Sequence, residues 1–111
     1  MIIYKKISDI CAAHQLKGHQ KCGLLHGHNY TFEVEIEADK LTDDFGFVVD
    51  FGEISKLIKE KYDHTGKIIT ISAEKMAKET YDMIKAIMPV KPKRIKVRVW
   101  ETSTSFAEYE A

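Results

Sequence analysis

The sequence predicts an α+β fold: a four-stranded antiparallel sheet with two helices on one face, in the order ββααββ. Three observations predict it. Alternation is strict over residues 26–36, two amphipathic segments follow at 51–62 and 71–89, and alternation returns at 93–100. Both helices then pack on one sheet face, and the other face is left to find a partner.

Taken in order, residues 2–16 ("IIYKKISDICAAHQL") mix β-branched and polar side chains without helical periodicity and read as a long strand. In "HGHNYTFEVEIEA", His26, His28, Tyr30, Phe32, Val34 and Ile36 share one face, while Asn29, Thr31, Glu33, Glu35 and Glu37 share the other. The polar run "ADKLTDDFGF" supplies a turn, and "FVVDF" reads as a short additional strand. The first helix is "FGEISKLIKEKY", with Ile54, Leu57, Ile58 and the aliphatic stem of Lys61 on its inner side. Ser72 is the expected N-cap of the second, whose apolar face is Met76, Ala77, Thr80, Ile84, Ile87 and Met88, and Pro89 stops it. "KRIKVRVW" then sets Ile95, Val97 and Val99 against Lys96, Arg98 and Trp100, and "TSFAEYE" returns as the last strand.

With 111 residues and neither repeats nor low-complexity linkers, residues 1–111 are expected to form one domain. Seventeen basic residues balance seventeen acidic ones, so no global field draws the chain to nucleic acid or to an anionic membrane. The strip Lys91, Lys93, Arg94, Lys96 and Arg98 reads as a solvated face. No apolar run approaches the roughly 20 residues of a bilayer span, and no signal peptide is visible, so a cytoplasmic location is expected. Cys11 and Cys22 are then expected to be reduced thiols, Cys11 as a small core residue.

The chemistry gathers in "KCGLLHGHNY". His26 and His28 are two apart on a strand and project to the same side. His14, at the end of the first strand, is the natural third ligand, because the loop between the strands folds that end back beside the start of the second. Three histidines with one open position form the arrangement that polarises a substrate oxygen or water on zinc. The residues themselves leave Cys22 open between a fourth ligand of a structural zinc site and a catalytic thiol, and His19 reads as a surface residue.

"AAH" at 12–14, "CGLLHGHNY" at 22–30, "VVDF" at 48–51, "DH" at 63–64 and "ET" at 101–102 are collinear across nearly the whole chain. In this pattern the sequence resembles the 6-pyruvoyltetrahydropterin synthase and 6-carboxytetrahydropterin synthase family. The resemblance implies a tunnelling fold (T-fold) that assembles into trimers and, face to face, homohexamers with active sites at subunit interfaces. It also implies zinc held by His14, His26 and His28, Cys22 as the catalytic thiol with Asp63 and His64 as its partners, and Glu101 as the anchor of a pterin substrate. A carboxylate suits that last role, since it accepts two parallel hydrogen bonds from a guanidinium-like edge. The three-residue spacing from Cys22 to His26 resembles the 6-carboxytetrahydropterin synthases of queuosine biosynthesis, whose reaction on 7,8-dihydroneopterin triphosphate releases acetaldehyde and triphosphate. The alternatives are a 6-pyruvoyltetrahydropterin synthase or related dihydropterin lyase, and a non-catalytic zinc-binding domain.

The chain departs from that family after His64, where "TGKIITISAEK" replaces a Leu-Asn pair and a longer loop ending in Pro-Thr-x-Glu-Asn. Cys11 stands where serine is frequent. Lys17, His19 and Lys21 lie in a loop suited to an anion, where basic residues are most often merely solvated. Replacing Cys22 by Ala separates the two roles left open for that residue: a structural ligand takes zinc and stability with it, while a catalytic thiol takes turnover and leaves the metal bound.

Overall fold

The computed structural model describes residues 1–19, 23 and 25–111. Two long strands, β1 (Ile2–His14) and β2 (His26–Ala38), are followed by α1 (Phe51–Tyr62), a two-residue strand β3 (Ile68–Ile69), α2 (Ala73–Ile87), β4 (Pro92–Trp100) and β5 (Phe106–Glu110). The sheet order is β3-β1-β2-β4-β5, and every pairing is antiparallel except that of β1 with β3. The α+β architecture expected from the sequence is present, with β3 as a small fifth strand. No helix among the described residues is long and apolar enough to cross a membrane.

Alternation decides which face is covered. Tyr30, Phe32, Val34 and Ile36 of β2 and Ile95, Val97 and Val99 of β4 are each at most 1% exposed. α1 packs on β1, and α2 packs on β4 and β5. The helices contribute Ile54, Ile58 and Tyr62 from α1, and Met76, Ala77, Thr80 and Ile84 from α2. Each large apolar side chain removed from water in this layer is worth about 1.5–3 kcal/mol.

β1 does not keep one parity along its length. Ile3 pairs with Ile36 and Ile7 with Phe32, but the next pairs are Ile10 with Tyr30 and His14 with His26. Three residues of β1 therefore span the interval that two residues of β2 span, which is a one-residue bulge. Asp9 carries it at φ 59°, a left-handed conformation that Asp tolerates better than most non-glycine residues. The bulge switches the inward positions of β1 from odd to even numbers, so Ile7, Ile10 and His14 are all buried.

The opposite face is a set of cross-strand ion pairs. Arg94 donates to Glu35 at 2.7 Å, and Lys96 lies 3.5 Å from the same carboxylate. Arg98 reaches Glu108 at 2.8 Å, and Lys93 lies 3.7 Å from Glu37. The hydrogen bond from Arg94 holds the Glu35 carboxyl below its ordinary value. Four of the basic residues read as a solvated strip thus have acidic partners.

Three local expectations are corrected, and one segment gains an element. The "FVVDF" stretch is not a strand: Asp50 turns its carboxylate onto the Gly52 N–H at 2.8 Å and N-caps α1, leaving Val48 and Val49 buried in irregular chain. Lys61 points to solvent, 3.5 Å from Glu79, and the inner position belongs to Tyr62, which stacks on Phe32 with ring centroids 5.3 Å apart. Cys11, expected as a small core residue, is on the opposite side of β1 from His14, is only half-buried and is not part of the core. The segment after His64, which the sequence left without an element, forms β3 and pairs at Ala13 and His14.

The bulge generates a stability prediction. Asp9→Val forces a β-branched residue into the left-handed region and costs about 1–2 kcal/mol, whereas Asp9→Gly is neutral or mildly stabilising in urea unfolding. Equal effects of the two substitutions contradict the assigned conformation.

Candidate active site

One end of the sheet collects the polar residues singled out by the sequence, because β1 ends there at His14, β2 begins there at His26, and β4 ends there just before Glu101. His14 and His26 are register partners, and His28 is the next inward position of β2. His14 is 1% exposed, an unusual burial for an imidazole without a specific task. Its Nε2 lies 3.0 Å from the Ile71 carbonyl, which can only accept, so Nε2 carries a proton and, in the neutral ring, Nδ1 keeps its lone pair. Nδ1 faces His26 Nε2 at 3.2 Å. The rings crowd together, with centroids 4.5 Å apart for His26 and His28 and 5.1 Å for His14 and His26.

Glu101 joins this cluster. It opens the loop between β4 and β5, where its N–H donates to the Ser105 carbonyl at 3.1 Å. Its Oε1 lies 3.4 Å from His28 Nε2 and 3.7 Å from His14 Nδ1. One ligand atom from each of His14, His26, His28 and Glu101 lies within 4.8 Å of all the others. Burial pushes the His28 imidazole below its ordinary value; the Glu101 charge opposes the shift and His26 and His14 add to it. A neutral imidazole is the form that binds a metal.

The donor set fits a zinc-like ion. Zn–N bonds of about 2.0–2.1 Å in a tetrahedron separate the ligand atoms by about 3.3–3.4 Å. The separations of 3.2 and 3.4 Å here already match such edges. The Ile71 carbonyl is the outer partner that fixes a ligating imidazole's tautomer.

Asp63 and His64 lie elsewhere, in the turn that ends α1. The turn that ends α1 docks on the edge of β1: the Cys11 N–H donates to Asp63 Oδ1 at 2.9 Å, and the His64 N–H donates to the Cys11 carbonyl at 2.9 Å. His64 Nδ1 is 2.8 Å from Asp63 Oδ1, so the carboxylate holds the ring with Nε2 outward, and His64 adopts φ 47° to do so. The Cys11 thiol donates to Asn29 Oδ1 at 3.0 Å. Cys22, predicted as the thiol for this pair, lies outside the described residues, as does Lys21. Lys17 and His19 are exposed.

His28 and His64 nevertheless line one cleft of about 430 Å³, together with Cys11, Asn29, Gly66 and Lys67. This is the volume of a small-molecule site. The sequence reading missed Asn29 and the Ile71 carbonyl. Asn29 had a visible signal, since it directly follows His28 and projects to the other face of the strand; a backbone carbonyl leaves none.

A family profile described as 6-pyruvoyl tetrahydropterin synthase matches residues 2–111. The chain belongs to this family. It is 34% identical over 102 residues to a Bacillus subtilis protein named 6-carboxy-5,6,7,8-tetrahydropterin synthase, covering 79% of this chain and 69% of that one. It is 44% identical over 61 residues to an Archaeoglobus fulgidus protein named as a putative synthase of the same kind, covering 52% of this chain but only 51% of the relative. The solved 6-pyruvoyl tetrahydropterin synthase of Plasmodium falciparum superposes with a TM-score of 0.68 at 18% identity, over 99% of this chain and 98% of that one, a likeness of fold.

Metal titration tests the cluster. His14→Ala weakens Zn(II) or Co(II) binding by more than the roughly 10–100-fold expected for loss of an outer-sphere partner, read by competition with a chromophoric chelator. Unchanged affinity removes His14 from the metal set.

Proposed function

We propose that this synthase-family member converts 7,8-dihydroneopterin triphosphate and water to 6-carboxy-5,6,7,8-tetrahydropterin, acetaldehyde and triphosphate, with zinc at His14, His26 and His28. The observation that carries this reading is the three-histidine cluster, whose His28 lines the same cleft as His64. The name of the Bacillus subtilis relative supports the choice of product.

A bound zinc supplies Lewis acidity next to the substrate side chain. The chain's own residues supply the rest. His14, His26 and His28 hold the ion in neutral form, with His14 oriented by the Ile71 carbonyl. Cys22 takes and returns protons, and a free thiol with a pKa of about 8.5 needs a neighbouring base for that work at neutral pH. His64, oriented by Asp63 with Nε2 outward, is that base. Glu101 accepts the guanidinium-like edge of the pterin ring.

Assembly completes the site in this proposal. In one subunit Asp63 and His64 are occupied with the backbone of Cys11, and a trimer that covers the edge strands brings them to a neighbouring subunit's thiol. Trimers pairing face to face give the homohexamer.

The deciding experiment is incubation of zinc-loaded protein with 7,8-dihydroneopterin triphosphate and identification of products by mass spectrometry. The expected products are 6-carboxytetrahydropterin and acetaldehyde from the wild type, with turnover lost in Cys22→Ala while zinc is retained. A pyruvoyl product keeps the site and changes the reaction. No turnover by a zinc-loaded oligomer overturns the proposal.

A further inference from the structure

The Glu101 carboxylate is placed differently from a group waiting only for a substrate ring. A carboxylate that simply hydrogen-bonds a histidine settles at about 2.7–3.2 Å from one nitrogen. Glu101 Oε1 does not: it lies 3.4 Å from His28 Nε2 and 3.7 Å from His14 Nδ1, shared between two imidazoles and at full hydrogen-bond distance from neither. These separations, with the 3.2 Å between His14 Nδ1 and His26 Nε2, are close to the edges of one tetrahedron of ligand atoms.

The proton inventory points the same way. His14 Nε2 donates to the Ile71 carbonyl, so in the neutral ring that binds a metal Nδ1 turns a lone pair toward Glu101 Oε1. Two such acceptor atoms 3.7 Å apart call for a cation between them, a role open to a metal ion as well as to a proton. The carboxylate has room to leave, since its side chain is 29% exposed against 1% for His14. It also sits on a loop residue just beyond β4, not on the strand itself.

We infer that in the substrate-free protein Glu101 is the fourth ligand of the metal held by His14, His26 and His28, and that it must leave the metal for a substrate to bind there. This rests on the metal centre of the proposed function and deepens it. One carboxylate cannot serve as metal ligand and also accept two parallel hydrogen bonds from a ring, so the two occupations exclude each other. Opening of the metal is thereby coupled to recognition of the ring: a molecule without a donor edge for Glu101 meets a coordinatively closed ion.

Cobalt substitution tests this without turnover. The Co(II)-loaded wild type is expected to show the intense visible bands of a four-coordinate ion that stay constant from pH 6 to 9, because no metal-bound water is present to titrate. Glu101→Gln and Glu101→Ala are expected to bind Zn(II) at least about 10-fold more weakly. Their cobalt spectra should acquire a transition near pH 7, the range of a metal-bound water. Circular dichroism of the near-isosteric Gln variant checks the fold, and the wild-type spectrum is a test that needs no variant. A pH-dependent wild-type spectrum, or zinc affinity unchanged in both variants, overturns the inference while leaving a three-histidine centre intact. A wild type that binds no metal, or keeps its affinity in His14→Ala, overturns the metal centre itself, so the two failures are distinguishable.

Discussion

Everything at the site depends on the side of β1 from which His14 projects. A strand offers only two sides, and the apolar demand of the upper sheet puts Ile3 and Ile7 toward the helices. Continued without interruption, that parity would send His14 outward, away from His26 and His28. One extra residue, accommodated at Asp9 in the left-handed region, reverses the parity before the strand ends. Packing at one end and chemistry at the other are thus both satisfied by a single strand.

Much of this was legible in the residues, and the parts that were not have physical reasons. β2, β4 and both helices announce themselves because each has one wet and one dry face, so period and burial coincide. The bulge leaves only a trace, the three-residue step from Ile7 to Ile10, which a period-2 reading passes over as noise. Val48 and Val49 were misassigned because β-branched residues next to one another read as strand, although the capping carboxylate of Asp50 decides the local geometry. β3 could not be foreseen at all: two isoleucines carry no period, and their pairing is set by the end of a distant strand. At the site, the strand histidines were singled out by their spacing and Glu101 by the family resemblance, and the structure brings these side chains together. Their juxtaposition followed from topology, since β2 is the central neighbour of both β1 and β4.

The segment after His64 changes meaning once its fold is known. As sequence it was expected to depart from the family pattern. As structure it supplies β3, the backbone bond from Gln15 N–H to the Ile69 carbonyl at 2.9 Å, and the Ile71 carbonyl that sets the His14 tautomer. That loop is therefore tied directly to a candidate ligand. A backbone carbonyl performs this task with little regard for the side chain it belongs to.

The ion-paired face of the sheet has a different bearing, on inheritance. Glu35 meets both Arg94 and Lys96, and Arg98 meets Glu108, each across a strand boundary. Reversing one sign leaves like charges side by side on neighbouring strands, and a second reversal across the boundary restores the match. Such positions are free to exchange polarity but not to do so one at a time. Among descendants of this chain, the identities at these sites should travel as linked pairs, whereas the apolar positions behind them vary singly within the limits of volume.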